Sequence, residues 1–125
     1  MNVASTAAFQ PGPLMAVYYA TKAYVLSFSE ALAEEARESG VVVTALCPGP
    51  TRTSFQTRAG TEQSRLFKGR GILDAETVAR AGYDGFKNRK TVVIPGFINR
   101  LRALGVRLAP RDWVTKVARR MNEKV

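Results

Sequence analysis

Val41-Val42-Val43-Thr44-Ala45-Leu46-Cys47-Pro48-Gly49-Pro50 is a β-branched, apolar run closed by a Pro-Gly-Pro break. No polar residue alternates with the apolar ones from Val41 to Thr44. That pattern belongs to a strand covered on both faces, as in a parallel sheet. Upstream, Leu14 to about Ser39 holds no proline or glycine, and Val17, Ala20, Tyr24, Phe28, Leu32 and Ala36 recur at helical spacing. Gly40 is the residue that stops this helix, because a left-handed position there carries no Cβ penalty. Met1 to Ser5 reads as the end of a further strand, and Phe9-Gln-Pro-Gly-Pro13 as the loop after it.

Downstream, Asp74 reads as an N-cap with Thr77 at the third position, opening a helix to about Phe86. Lys90-Thr-Val-Val-Ile-Pro95 is another short buried strand. Helices follow over about Phe97–Leu108 and Arg111–Asn122, the second opened by Pro110. Thr51 to Gly71 is polar and glycine-punctuated, a loop with short helical turns near Gln63–Phe67. Strand, helix, strand, helix, strand in this order predicts an α/β fold with a parallel sheet of about three strands. Ligands of such sheets bind beyond the carboxyl ends of the strands. Ser5 and Pro48-Gly49 both lie there.

Composition removes several kinds of chemistry. The chain has 125 residues, room for one domain with a modest core, and no histidine. Histidine triads, histidine-held zinc and histidine acid–base catalysis are therefore excluded, and no metal site is expected. One cysteine, Cys47, allows neither an internal disulfide nor a CxxC pair, and its apolar setting predicts a buried, inert thiol. No signal-peptide leader and no membrane-length apolar run is read, and a reducing, cytoplasmic setting is expected. The net charge of +9 is uneven. Residues 87–125 hold eleven Lys and Arg against Asp112 and Glu123, which is the whole excess. A basic tail of this kind can be a solvated helix pair or can meet an anionic membrane surface. It shows no groove-reading motif, so no nucleic-acid partner is expected.

The residues suited to catalysis stand in the first fifth of the chain. Tyr18 and Lys22 are four apart on a helix and share a face. A free tyrosine ionises near ~10, and an ammonium beside a phenol favours its charged form, so such a pair can serve as a general acid/base. Ser5, thirteen residues before Tyr18, could hydrogen-bond a substrate carbonyl and steady charge developing on its oxygen. Tyr19 can be core or substrate wall. Phe9, Tyr19 and Phe55 suggest a roomy, apolar-lined pocket.

Asn2-Val-Ala-Ser5, Tyr18-Tyr-Ala-Thr-Lys22 and Pro48-Gly-Pro-Thr-Arg-Thr53 together resemble the C-terminal half of the short-chain dehydrogenase/reductase family. They look like its Asn-x-Ser-Ser strand end, Tyr-x-Ala-Ser-Lys helix and Pro-Gly-x-x-x-Thr turn. The resemblance covers residues 1 to about 95. Pro95-Gly-Phe-Ile-Asn-Arg-Leu101 is similar to a bacterial subgroup of its reductases. By resemblance the fold is the C-terminal part of a Rossmann-type doubly wound sheet, with residues 1–95 the catalytic half and 96–125 a basic helical tail. The implied activity is NAD(P)-dependent reduction of a carbonyl, or oxidation of an alcohol, with NADP(H) slightly favoured as cofactor. Tyr18 would then give the substrate its proton, Lys22 would tune it and hold the nicotinamide ribose, and Ser5 would orient the carbonyl. Pro48, Gly49, Thr51 and Thr53 would contact the nicotinamide carboxamide. Residues 54–71 would be the substrate lid, and the helix from Leu14 a dimerisation element of a homo-oligomer. The substrate would be a small carbonyl or alcohol, lipid-like or aromatic.

The departures from the family pattern carry expectations too. The sequence has no Thr-Gly-x-x-x-Gly-x-Gly stretch, no Asn-Asn-Ala-Gly stretch and no relay asparagine. Gly69-Arg-Gly71 follows no strand and reads as plain loop. The expectation is a truncated reading of a longer protein, inactive and prone to aggregate by itself. Two other readings stand beside it. One is a non-catalytic interaction or membrane-surface module. The other is an epimerase or dehydratase of the related extended family, against which the Pro-Gly turn and the short C-terminal region argue.

Overall fold

The computed structural model describes residues 1–54, 58, 65, 69 and 71–123. Three short strands, β1 (Asn2–Val3), β2 (Ala45–Leu46) and β5 (Val92–Val93), form a parallel sheet in the order β1-β2-β5. Asn2 pairs with Ala45 and Ala45 with Val92. Backbone bonds extend the ladder past the strand ends: Asn2 N–H donates to Thr44 O at 2.8 Å, Ala45 to Thr91 O and Cys47 to Val93 O, both at 2.7 Å. The strand expected over Val41–Thr44 begins only at Ala45, because only Ala45 and Leu46 pair on both sides. A second pairing, β3 (Thr51–Arg52) with β4 (Leu73–Asp74), was not expected from the sequence. It clamps the two ends of the intervening loop together.

Helix α1 (Ala16–Glu35) passes into a 3-10 turn over Arg37–Ser39 and stops at Gly40, whose φ of 79° is left-handed as expected. Its buried residues are Tyr19, Leu26 and Ser29, whereas Val17, Tyr24 and Phe28 are exposed. Of the apolar residues at helical spacing, Val17, Tyr24 and Phe28 therefore form an outer stripe. Helix α1 is apolar on two faces, and periodicity alone does not say which one the sheet takes. Ser29 settles the inner face. Its Oγ donates to Val25 O at 2.6 Å and accepts from Asn2 Nδ2 at 3.0 Å, which ties α1 to β1.

Helix α2 (Ala75–Lys87) begins at the expected N-cap, with Asp74 Oδ1 accepting from Thr77 N–H at 2.8 Å. It lies close on the sheet because Gly82 and Gly85 have no side chains. A Cβ at Gly82 would sit 2.8 Å from Leu46 Cδ2, and one at Gly85 would overlap Val93 Cγ2. Helices α3 (Phe97–Leu108) and α4 (Arg111–Asn122) have the expected bounds, with Pro110 at the N-cap of α4. Ala103, Val114 and Ala118 are buried, and Asn122, at the far end of the chain, reaches Tyr19 and Pro13. The basic tail is thus packed onto the body. The main core, Ala4, Leu26, Ala45 and Cys47, lies between α1 and the sheet.

Candidate active site at the strand ends

The chain leaves β1 at Ser5, which caps a 3-10 turn over Thr6–Phe9. Ser5 Oγ accepts from Ala7 N–H at 3.1 Å and donates to Pro48 O at 3.4 Å. The strand end carrying Ser5 and the Pro48-Gly49 turn are thereby brought together. The second bond is long, so the hydroxyl is held loosely enough to turn toward another acceptor.

Lys22 joins α1 to the same place. Its Nζ donates to Val3 O at 3.0 Å and lies 5.8 Å from the centroid of the Tyr18 ring. The N–H groups of Asn2 and Ala4 face β2, so the Val3 carbonyl between them points to the other edge of β1. Lys22 meets it there. An ammonium has three donors, and the bond to Val3 uses one. Tyr18 and Lys22 are both half-buried, and the Tyr18 ring meets that of Tyr19 edge to face at 6.0 Å.

Of the two readings open for Tyr19, the structure takes the core one. Tyr19 is 5% exposed, its ring fills the space that Gly12 leaves empty, and its hydroxyl donates to Asn122 Oδ1 at 3.1 Å. Burial, ahead of any other influence, pushes its phenol up from the ordinary value. Phe9 is half-buried against the main core, with the Arg107 guanidinium 5.7 Å from its ring centroid. Thr51 turns its hydroxyl onto Gly49 O at 2.9 Å, Thr53 is exposed, and Phe55 and nearly all of the expected lid lie outside the described residues. Cys47 is fully buried, and desolvation pushes its thiol up to about 11, so the expected inert cysteine is what the fold contains. Among the described residues no cluster of metal-ligating side chains occurs.

Two features were missed at the sequence level. One is Asn99, 1% exposed, whose Nδ2 donates to Pro95 O at 3.0 Å and Gly71 O at 3.1 Å. Its amide lies directly on Gly49, where a Cβ would come within 2.5 Å of Oδ1. Asn99 thus ties the Pro-Gly turn, the end of the loop and the end of β5 together. The only signal was an asparagine two residues into an apolar helix, just after Pro95-Gly96. The other is a groove of about 430 Å³ beside the strand ends. Thr6, Gln10 and Pro50 form the end next to Ser5 and the Pro-Gly turn, and Val106, Trp113, Val117 and Met121 of α3 and α4 form much of the remaining wall.

The short chain dehydrogenase family matches residues 1–64, about half of the chain. An uncharacterized oxidoreductase of Escherichia coli, YghA, is 36% identical over 66 residues, 53% of this chain and 22% of its own length. A short-chain dehydrogenase from Sphingobium yanoikuyae, solved in complex with NADPH, superposes with a TM-score of 0.68 at 34% identity. That match covers 86% of this chain and 42% of the solved one. A bulky-bulky ketone specific alcohol dehydrogenase from Comamonas testosteroni superposes at 0.56 with 26% identity, over 86% of this chain and 40% of that one. The chain therefore spans well under half the length of these relatives. With its parallel sheet and its matched first half, it belongs to the short-chain dehydrogenase family.

Proposed function

We propose that the chain carries the catalytic side of an NAD(P)-dependent oxidoreductase that interconverts a carbonyl compound and its alcohol. The observation that carries this reading is Lys22, bonded to the Val3 carbonyl two residues before Ser5 and set against the ring of Tyr18. Lys22 thus stands between the Tyr18 ring and the strand end that carries Ser5. This donor set suits a nicotinamide riboside beside a carbonyl group. Lys22 would hold the ribose hydroxyls, and the turn from Pro48 through Thr51 to Thr53 the carboxamide. A bound nicotinamide supplies or accepts the hydride. Tyr18 gives its hydroxyl proton to the carbonyl oxygen, or takes one from the alcohol. Ser5 Oγ–H donates to that same oxygen as charge develops on it. Lys22 stabilises negative charge on the phenol oxygen as the proton leaves. NADP(H) is the first cofactor to try, as the Sphingobium relative holds NADPH.

The test is deuteride transfer from 4-deuterated NADPH to a bulky ketone, with the protein as its gene encodes it. Label should reach the alcohol, fall by roughly 10²–10⁴-fold in Tyr18→Phe, and persist in Tyr24→Phe, which alters an exposed tyrosine of the same helix. Equal transfer by Tyr18→Phe, or none by the wild type, overturns the reading.

A second reading concerns the C-terminal helices and is compatible with the first. Phe97, Leu101, Leu104 and Leu108 form one stripe of α3, 55–80% exposed, and no acidic residue lies on that helix. An apolar stripe flanked by Arg100 and Arg107 suits the surface of an anionic bilayer, whereas a second copy of the same basic face would be repelled. Co-sedimentation with phosphatidylserine vesicles that weakens with salt and with Leu104→Glu supports contact. Equal sedimentation with neutral vesicles, or none at low salt, removes it.

A further inference from the structure

Arg102 is the one charged residue lining the groove, and Thr6, Gln10 and Asn99 are the polar ones. Both donations of the Asn99 amide go to backbone carbonyls, so it has no donor left for an acidic group. Thr6 and Gln10 stand at the Ser5 end. The other lining residues are apolar or glycine, and the volume lies in the range of small-molecule sites. Arg102, by contrast, comes from α3. Among the described residues no ion pair or hydrogen bond engages it.

The surroundings fix the sign of charge that the groove favours. Helix α3 holds Arg100, Arg102 and Arg107 and no acid, and α4 adds Arg111, Lys116, Arg119 and Arg120 against Asp112. A cationic ligand meets a positive field on entering. A neutral one gains only burial. An anionic one gains burial and a charge-assisted pair with Arg102.

We propose that the groove takes a carbonyl compound with a largely apolar body and one acidic group, the acid on Arg102 and the carbonyl toward Ser5. The place of the carbonyl rests on the oxidoreductase reading, whereas the preference for an acid does not. Arg102 is then a specificity-determining residue, and α3 and α4 are the elements that choose the substrate.

Trp113 is the single tryptophan of the 125 residues and forms part of the groove wall. Its emission therefore reports occupancy without cofactor or turnover. The probes are an oxodecanoate, its methyl ester and the matching oxodecylamine, which share one chain and differ in charge. The keto acid should shift Trp113 emission saturably and bind about tenfold tighter than the ester, a preference worth about 1.4 kcal/mol, with the amine weakest. Arg102→Gln should bring acid and ester within about twofold of each other. Gly105→Leu should weaken all three, since a Cβ there meets nothing within 4 Å and leucine favours the helix more than glycine does. Equal binding of the three probes, or an acid preference that survives Arg102→Gln, overturns the proposal. Keto-acid binding without deuteride transfer would sink the oxidoreductase reading and leave the acid preference standing. Deuteride transfer with no preference for the acid would do the reverse.

Discussion

Lys22 is placed by two contacts, and each constrains what the other can mean. The bond to Val3 O fixes the ammonium at the end of β1, and the 5.8 Å approach to the Tyr18 ring fixes it beside the phenol. Lys22→Met keeps most of the length of the side chain and removes the charge. It should lower turnover by roughly 10²–10⁴-fold while leaving the thermal midpoint within a few degrees. A large loss of stability with unchanged turnover would instead make Lys22 a strut. Cys47 tests the core in the same residue-by-residue way. Its thiol, pushed up to about 11 by burial, stays protonated well above the ~8.5 of an exposed cysteine. Below ~8.5 its contribution to stability is complete, and it declines as pH rises toward 11, because the unfolded chain ionises first. Iodoacetamide at about pH 8 should leave the native thiol unmodified and alkylate it fully in denaturant. Rapid native alkylation would contradict the packing described. At this scale the sequence was readable where chemistry depends on spacing, as with Tyr18 and Lys22. Asn99 and Tyr19 were not, since their roles come from partners far along the chain.

Helix α2 shows how local rules and packing divide the work. Asp74 caps it through the Thr77 N–H, with the Thr77 hydroxyl also donating to Asp74 Oδ2 at 2.7 Å, and these bonds hold its carboxyl below the ordinary value. A depressed carboxyl adds stability above its unfolded value of ~3.9, and that stability is lost as pH falls through the lower folded value. Asp74→Asn keeps an accepting oxygen for the Thr77 N–H but not the charge, so it should melt somewhat below the wild type at neutral pH and lose less on acidification below about pH 4. Parallel acid curves for the two proteins would show that the cap does not titrate. Gly85 belongs to packing. Alanine there gains about 1 kcal/mol of helix propensity, but its Cβ meets Val93, and overpacking costs about 1–3 kcal/mol. Gly85→Ala should therefore lower the thermal midpoint, whereas Gly105→Ala should raise it. The start of α2 could be read from Asp74 and Thr77 alone, and the stop of α1 from Gly40. Which face of α1 turns inward could not, because Val17, Tyr24 and Phe28 make an outer stripe as apolar as the inner one. The β3–β4 pairing was hidden for a different reason: its two strands are joined across a polar loop that carries no strand signal.

Taken whole, the described residues form a three-stranded parallel wall with Ser5 and the Pro48-Gly49 turn at its carboxyl ends and a basic helix pair closing over them. Asn122 holds that pair down, since Oδ1 accepts from Tyr19 and Nδ2 donates to Pro13 O at 2.9 Å. Asn122→Ala takes one partner from the buried Tyr19 hydroxyl and one from the part-buried Pro13 carbonyl, and should cost about 1–3 kcal/mol. Tyr19→Phe in the same background should add little, because the two share one bond. The exposed stripe of α1 holds Tyr24 stacked on Phe28 at 6.0 Å. The parallel order of the sheet followed from the alternation of strand and helix. The groove did not, because Trp113 and Val106 look like tail residues until α3 and α4 are laid against Thr6 and Pro50. The most direct measurement is deuteride transfer from labelled NADPH to a bulky ketone by wild type, Tyr18→Phe and Tyr24→Phe. Label in the alcohol from wild type and Tyr24→Phe but not from Tyr18→Phe is the predicted result, and transfer that ignores the loss of the Tyr18 hydroxyl would contradict the account.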